Sequence, residues 1–123
     1  MTISEQIYAL LSGYTPLAAI IGTNVYPVRA RQGIAKPWVA YASVYGAPQN
    51  SLAGWSGVDN DLYQVDCWSS GHLQAVTIAG HVRAALAQNN ATFKCICVRE
   101  FDGPVEPGIE AFHRIVEFSI WTL

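Results

Sequence analysis

Several side chains able to do chemistry fall close together in one stretch of the sequence. Asp66 and Cys67 lie in an alternating segment, and His72 and His81 lie in the helix-like segment that follows a Ser-Ser-Gly turn. A cysteine beside a histidine could form a nucleophile pair, and histidines on one face could share a metal ion. Each of these functions requires that the side chains meet in the fold.

The histidine spacing argues against a shared metal ion. His72 and His81 are nine residues apart, which is about two and a half helical turns, so they lie on opposite faces of one helix. His113 lies on a separate segment near the end of the chain. A Cys–His pair joins residues that are distant in sequence, so the spacing neither requires nor excludes it.

The cysteines and carboxylates show no binding motif either. Cys95 and Cys97 share one face of a strand, but a zinc site needs a second ligand pair and Cys67 stands alone. We therefore expect buried structural cysteines. Glu100 and Asp102, beside an acidic Pro/Gly turn, are expected to be solvated. With no Walker loop, dinucleotide fingerprint or nucleophile elbow, the sequence predicts no enzyme, no cofactor and no metal.

Composition sets broad limits on the class of protein. The 123 residues correspond to one domain, 1–123, with 51% hydrophobic and 13% charged residues. A small chain with this much apolar content is expected to bury part of its surface against a partner protein. A net charge of −2 without a basic cluster argues against specific nucleic-acid binding. No signal peptide or membrane-length apolar run is apparent, so a cytosolic protein with reduced thiols is expected.

Hydrophobic periodicity predicts the elements that position these residues. The predicted order is α-α-β-β-β-α-β-β, which indicates an α+β fold: two layers, with an antiparallel or mixed sheet and two or three helices packed on it. Thr15 is expected to cap the second helix and Gly22 to end it. The main helix carries a predicted apolar stripe of Leu73, Val76, Ala79, Val82 and Leu86. Gly80 lies beside that stripe, where we expect close packing on the sheet.

Two segments lack periodicity and are predicted to be loops. The 29–36 segment contains the only concentration of positive charge, and the 46–58 segment is the longest region without a repeat. Loops as long as the second are usually functional or mobile.

The order and spacing of the segments resemble a known family, the phage tail-completion or tail-terminator proteins of siphophages. The resemblance covers nearly the whole chain and is carried by Tyr26-Pro27, Gln32-Gly33, Pro37-Trp38, the Gln64–Trp68 strand, Arg83 with Leu86, and the Phe118–Trp121 ending. Family members often carry a basic residue just before the Gln strand. Here Leu62 and Tyr63 stand there, so no charge contact is carried over at that place.

The resemblance implies a structural function. Such proteins form rings, usually of six copies, that cap the tail tube, stop its polymerisation and join the tail to the head connector. The implied partners are other copies, the tail tube protein and a head-closure or connector protein, with DNA at most passing through the ring. The implied location is the tail or neck of the virion, after assembly in the host cytoplasm. The candidate contact residues in the two loops are Arg29, Arg31, Lys36, Leu52 and Trp55.

Two alternatives remain open from the residues alone. One is a small α+β enzyme or ligand-binding domain, which requires a cleft holding a histidine, cysteine or carboxylate with a strongly perturbed pKa. The other is a nucleic-acid binder that stacks bases on the sheet aromatics. Those aromatics are Trp38, Tyr41, Tyr45, Tyr63 and Trp68.

Overall fold

The computed structural model describes residues 3–28, 37–51, 54–87, 93–104 and 112–122, with the backbone alone for 45–51 and 55–59. Within these ranges the elements are α1 (Ile3–Ser12), α2 (Thr15–Ile21), β1 (Val25–Pro27), β2 (Trp38–Ser51), β3 (Gly54–Ser69), α3 (His72–Leu86), β4 (Phe93–Asp102) and β5 (Phe112–Thr122). The predicted order of helices and strands is confirmed.

The strands form one mixed sheet in the order β1-β2-β3-β5-β4. The short β1 is parallel to β2, and the other three pairings are antiparallel. Val65 in the centre of β3 lies opposite Tyr41 of β2 and Val116 of β5. The sheet therefore has β4 at one edge and the β1–β2 pair at the other.

The helices pack against one face of this sheet and enclose the core. Ile7 and Leu11 of α1, Leu17 of α2, and Ile78 and Val82 of α3 are fully buried. Their strand partners in the same cluster are Val39, Tyr41, Tyr63, Val65, Cys67, Phe93, Val116, Phe118 and Ile120. Each fully buried large apolar side chain contributes about 1.5–3 kcal/mol. The α+β fold with two layers is confirmed.

The predicted stripe of α3 is confirmed at Ala79, Val82 and Leu86 but not at its first two positions, Leu73 and Val76. Leu73 is 79% exposed, whereas Ile78, Val82 and Leu86 face the core. The remaining buried positions are alanines: Ala75, Ala79 and Ala85. The buried face of α3 is therefore centred on positions 75, 78, 79, 82, 85 and 86, which excludes Leu73.

The prediction that Gly80 allows close packing is wrong. Gly80 is exposed, and a Cβ added there would meet no atom within 4 Å. The glycine therefore has no packing reason in the folded monomer, although it lowers the helix propensity of α3.

The start of α2 also differs from the prediction. Tyr14 occupies the N-cap position without a side-chain capping bond, so Thr15 is not the cap. Gly22 ends the helix as predicted, with φ of 62° in the left-handed region that favours glycine. In the described ranges, no helix is long and apolar enough to cross a membrane.

The predicted 46–58 loop is wrong, because this segment belongs to a long hairpin. β2 continues to Ser51, β3 begins at Gly54, and the two residues are paired with each other. Register shifts fall between Ser43 and Tyr45 and between Gln49 and Asn50. The first leaves one extra residue, Val44, on β2 and so interrupts the alternation by which a strand is recognised in sequence. The second leaves residues 56 and 57 of β3 without partners on β2.

Candidate functional site

The three thiols range from buried to exposed, and all three are poor nucleophiles. Burial raises the pKa of Cys67 far above its ordinary value and raises the pKa of Cys95 to about 12. Burial also raises the pKa of the more exposed Cys97. Because their pKa values are raised, these cysteines are protonated at neutral pH. The thiolate is the reactive form of cysteine, so they are poorly reactive. The expectation of buried structural cysteines is confirmed for Cys67, whereas Cys95 is partly buried against the core and Cys97 is exposed.

The histidines lie in three separate places. His72 Nε2 lies 3.2 Å from Asp102 Oδ1, the ring of His81 is 6.3 Å from that of Tyr14, and His113 stacks on Trp68. Cys67 is in the core cluster, whereas His113 belongs to the opposite face of the sheet. Among the described residues, no group of three histidine, cysteine or acidic side chains could hold a metal ion.

Charged side chains link α3, β4 and β5 at one end of the sheet; we call this cluster the Arg114 network. Arg114 Nη2 lies 2.7 Å from Glu100 Oε2, and Arg114 Nη1 donates to Asp102 Oδ1 at 2.8 Å. Arg83 Nη1 donates to Glu100 Oε1 at 3.3 Å, and His72 contacts Asp102. The hydrogen bond from Arg114 lowers the pKa of Asp102. Glu100 and Asp102 are therefore not simply solvated, as the sequence suggested; they hold β4 to its neighbours.

A second ion pair joins β4 to β5 on the opposite face. Glu117 is only 5% exposed, and Arg99 donates to its two carboxylate oxygens at 3.0 Å each. The Arg99 guanidinium also lies 5.3 Å from the centre of the Phe101 ring. A buried carboxylate requires such a partner, because a charge left unpaired in a desolvated position is costly.

Aromatic rings form a row across the face of the sheet that the helices leave uncovered. The Trp38 and Trp68 rings are 5.4 Å apart, and the Trp68 and His113 rings are 4.0 Å apart with 12° between their planes. Trp68 is thus stacked on both sides by protein. Tyr41 and Tyr63 are buried in the core cluster instead. Two of the five aromatic residues expected to stack bases therefore do not share the uncovered face with Trp38 and Trp68, and only the backbone of Tyr45 is described.

Apolar side chains are exposed along β4, at one edge of the sheet; we call this region the β4 edge. Ile96 is 57% exposed, Val98 55%, Phe101 37% and Trp121 of the adjoining β5 36%. A groove of about 470 Å³ runs beside the same strand on its helix side. It is lined by Gly80, Arg83, Ala84, Ala87, Cys95, Cys97 and Phe118. Clustered exposed apolar surface of this kind marks a contact with another molecule.

A smaller apolar group lies around β1 and β2; we call it the β1–β2 edge. Val28 is 72% exposed, Val44 51% and Tyr8 44%. Val28 N–H donates to Tyr41 O at 2.7 Å, and Val44 follows three residues later on the same strand. Tyr8 is close enough to Tyr41 to influence its pKa. The three exposed side chains of Tyr8, Val28 and Val44 lie on α1, directly after β1 and on β2, respectively.

The contact residues predicted from the sequence lie mostly outside the described residues. This applies to Arg29, Arg31, Lys36 and Leu52. For Trp55 the backbone alone is described, paired with Asn50 near the hairpin turn. These assignments stay predictions.

The β4 edge was missed by sequence reasoning. Its signal was the presence of apolar residues on both faces of β4, at Ile96 as well as at Phe93. That pattern is equally typical of a strand buried in the middle of a sheet, so only the strand order reveals that it is exposed.

Fold and surfaces together define a small α+β domain with apolar edges. A protein-family model described as tail completion protein gp17 matches residues 5–123. The chain belongs to this family, and it has a structural role in a virion tail.

Solved structures show the same fold. A chain from a structure titled virion of native gene transfer agent (GTA) particle aligns with a TM-score of 0.75 and 18% identity, covering 94% of this chain and 90% of that one. Bacteriophage SPP1 gp17 protein aligns with a TM-score of 0.62 and 17% identity, covering 98% of this chain and 87% of that one. No curated protein sequence matches the chain significantly.

Proposed function

We propose that the protein caps the end of the phage tail tube, stops its polymerisation and joins the tail to the head connector. It acts as a closed ring of identical copies and performs no catalysis. The observation that carries this proposal is the family match over residues 5–123. Its partners are other copies of the chain, the tail tube protein and a head-closure or connector protein, with no specific contact to DNA.

The surface of the domain supports a subunit of an assembly. Charged residues make up only 13% of the chain, and apolar side chains are exposed at both edges of the sheet. Protein interfaces are depleted of charge at their centres in the same way. Because the two edges differ, a contact between them is heterologous, and it closes into a ring when the rotation per copy divides the circle.

The β2–β3 hairpin supplies a means of reaching a neighbouring protein. β3 pairs with β5 only from Asn60 onward, so in the described part of the sheet residues 54–59 pair with β2 alone. We call this two-stranded extension the hairpin arm. The β2 side of this extension is residues 48–51, and four residues in extended conformation span about 13 Å. An arm of this length can reach beyond the body of the domain toward the tail tube or the connector.

We assign the contacts with these partners to the hairpin arm and to the 29–36 segment. In the sequence, Leu52 directly follows β2 and Trp55 is the second residue of β3, while Arg29, Arg31 and Lys36 belong to the basic segment. Tryptophan and arginine are the residue types that most often carry binding energy in protein interfaces.

Addition of purified protein to tails assembled without it tests the proposal. The wild-type protein should convert such tails into tails that join filled heads, as counted by electron microscopy and by infectivity. Leu52→Ala should reduce this conversion, whereas Leu73→Ala, which shortens an exposed leucine on α3, should not. Tails that join heads equally well with and without the protein would contradict the proposed function.

A further inference from the structure

We propose that neighbouring copies bind edge to edge, with the β4 edge of one copy covering the β1–β2 edge of the next. This inference rests on the proposed ring and names the surfaces that form it.

The β4 edge exposes apolar side chains on both of its faces, beside the charged Lys94 and Arg99. Ile96 and Trp121 are exposed on the side away from the helices, while the groove on the helix side is lined by the exposed Cys97 and by Ala84 and Ala87 of α3. Among the described strands, β4 pairs only with β5. A partner that wraps this edge would cover apolar surface on both sides of the strand at once, which is the arrangement expected at the centre of an interface.

The backbone of β4 favours contact through side chains over extension of the sheet. A register shift between Cys97 and Arg99 leaves Val98 without a partner on β5, and Val98 is 55% exposed. Such bulges interrupt the hydrogen-bonding edge of a strand and hinder indiscriminate pairing with other strands. The bulge therefore presents an apolar side chain while making β4 a poor template for aggregation.

The opposite edge contains a strained apolar residue. Val28 has φ of 68°, in the left-handed region that a β-branched residue rarely adopts. The hydrogen bond from its N–H to Tyr41 O holds it there, and its side chain remains 72% exposed. Strain of this kind is concentrated at functional positions, which is a reason to place Val28 in a contact.

A second copy of the chain is the occupant that fits both edges. The two apolar groups lie at opposite ends of the strand order β1-β2-β3-β5-β4, so one molecule cannot bring its own edges together. Repeating a single contact between the unlike edges covers both groups on every subunit and leaves no apolar edge exposed in a closed ring.

Site-directed cross-linking tests the pairing. In a Cys95→Ala, Cys97→Ala background, Val44→Cys on the β1–β2 edge is combined with Ile96→Cys on the β4 edge. A short bismaleimide is then applied to concentrated purified protein and to completed tails. The double variant should give covalent oligomers up to the ring size, while each single variant should give at most dimers. The buried Cys67 is expected to remain unmodified.

The matched control is Leu73→Cys combined with Ile96→Cys, because Leu73 is more exposed than Val44 but lies on neither edge. If the Val44–Ile96 pair links no better than the Leu73–Ile96 pair in either sample, the edge-to-edge contact is excluded. In a second measurement, Ile96→Glu should weaken self-association or ring retention on tails by roughly tenfold, and Leu73→Glu should not.

The two proposals fail in different ways. If the wild-type protein completes tails but the Val44–Ile96 pair does not link, the assigned edges are wrong and the tail function stands. If that pair links but the wild-type protein does not complete tails, the edge contact stands and the tail function is wrong.

Discussion

At the scale of single residues, Gly80 and Gly103 differ in the space available for a side chain. A Cβ on Gly80 would meet no atom within 4 Å, whereas a Cβ on Gly103 would overlap the His113 ring. Gly103 N–H also donates to His113 O at 2.6 Å, so the chain after β4 is held against this ring. One glycine is therefore replaceable in the monomer and the other is not.

We expect Gly80→Ala to raise the free energy of unfolding by about 1 kcal/mol, because alanine has the higher helix propensity and fewer conformations in the unfolded chain. Thermal or urea unfolding of the purified variant measures this. Gly103→Ala, the matched control, should lower stability, because the His113 ring or the backbone must move. A Gly80→Ala variant no more stable than the wild type would contradict the open environment of Gly80.

The Arg114 network predicts a dependence of stability on acid. The hydrogen bond from Arg114 lowers the pKa of Asp102 in the folded protein. A carboxyl with a depressed folded pKa contributes stability that is fully present above its unfolded pKa of about 4. This contribution is lost as the pH falls through the lower folded pKa.

Asp102→Asn should therefore be less stable than the wild type at neutral pH, and the difference should shrink below about pH 4. Urea unfolding across the acid range provides the measurement. A difference between the two proteins that is constant from neutral pH into strong acid would show that the Asp102 charge has no role in stability.

At the scale of elements, period-two and period-3.6 patterns predicted most of the fold. Tyr63, Val65 and Cys67 alternate on β3 as expected and are all buried. The prediction failed where a local irregularity interrupts the hydrophobic periodicity or where the buried face of a helix is wider than its apolar stripe. The two irregularities in the β2–β3 pairing concealed the hairpin arm, and the buried face of α3 includes Ala75, Ile78 and Ala85, which lie outside the predicted stripe.

The candidate site was less accessible to sequence reasoning than the fold. Arg99 and Glu117 are far apart in the chain, and their pairing follows only from the register of β4 against β5. The exposure of Ile96 likewise follows from the position of β4 at the edge of the sheet. Both depend on strand order, which periodicity does not encode.

The hairpin arm can be removed without loss of pairing to the rest of the sheet. Ala47 and Asn60 lie opposite each other, so replacing residues 48–59 with Asn-Gly would close the hairpin with a two-residue turn. The melting temperature should change by no more than a few degrees, while tail completion should be lost. A variant that completes tails normally would exclude the arm as a contact element.

At the scale of the whole molecule, the described structure has the properties of an assembly subunit. Its cysteines are protonated, its histidines are separated, and its polar clusters tie strands to one another. Exposed apolar side chains are found at both edges of the sheet, where we propose that other copies of the chain cover them. Family membership and the physical surface lead to the same proposal.

The central claim is that this protein ends tail-tube growth and makes the tail competent to join a head. Its most direct test is electron microscopy of particles assembled in the absence of the protein, with tube lengths measured before and after purified protein is supplied. We predict overlong or headless tails beside filled heads, and tubes of uniform length joined to heads when the protein is present during assembly. Tubes of normal length on intact particles without the protein would contradict the claim.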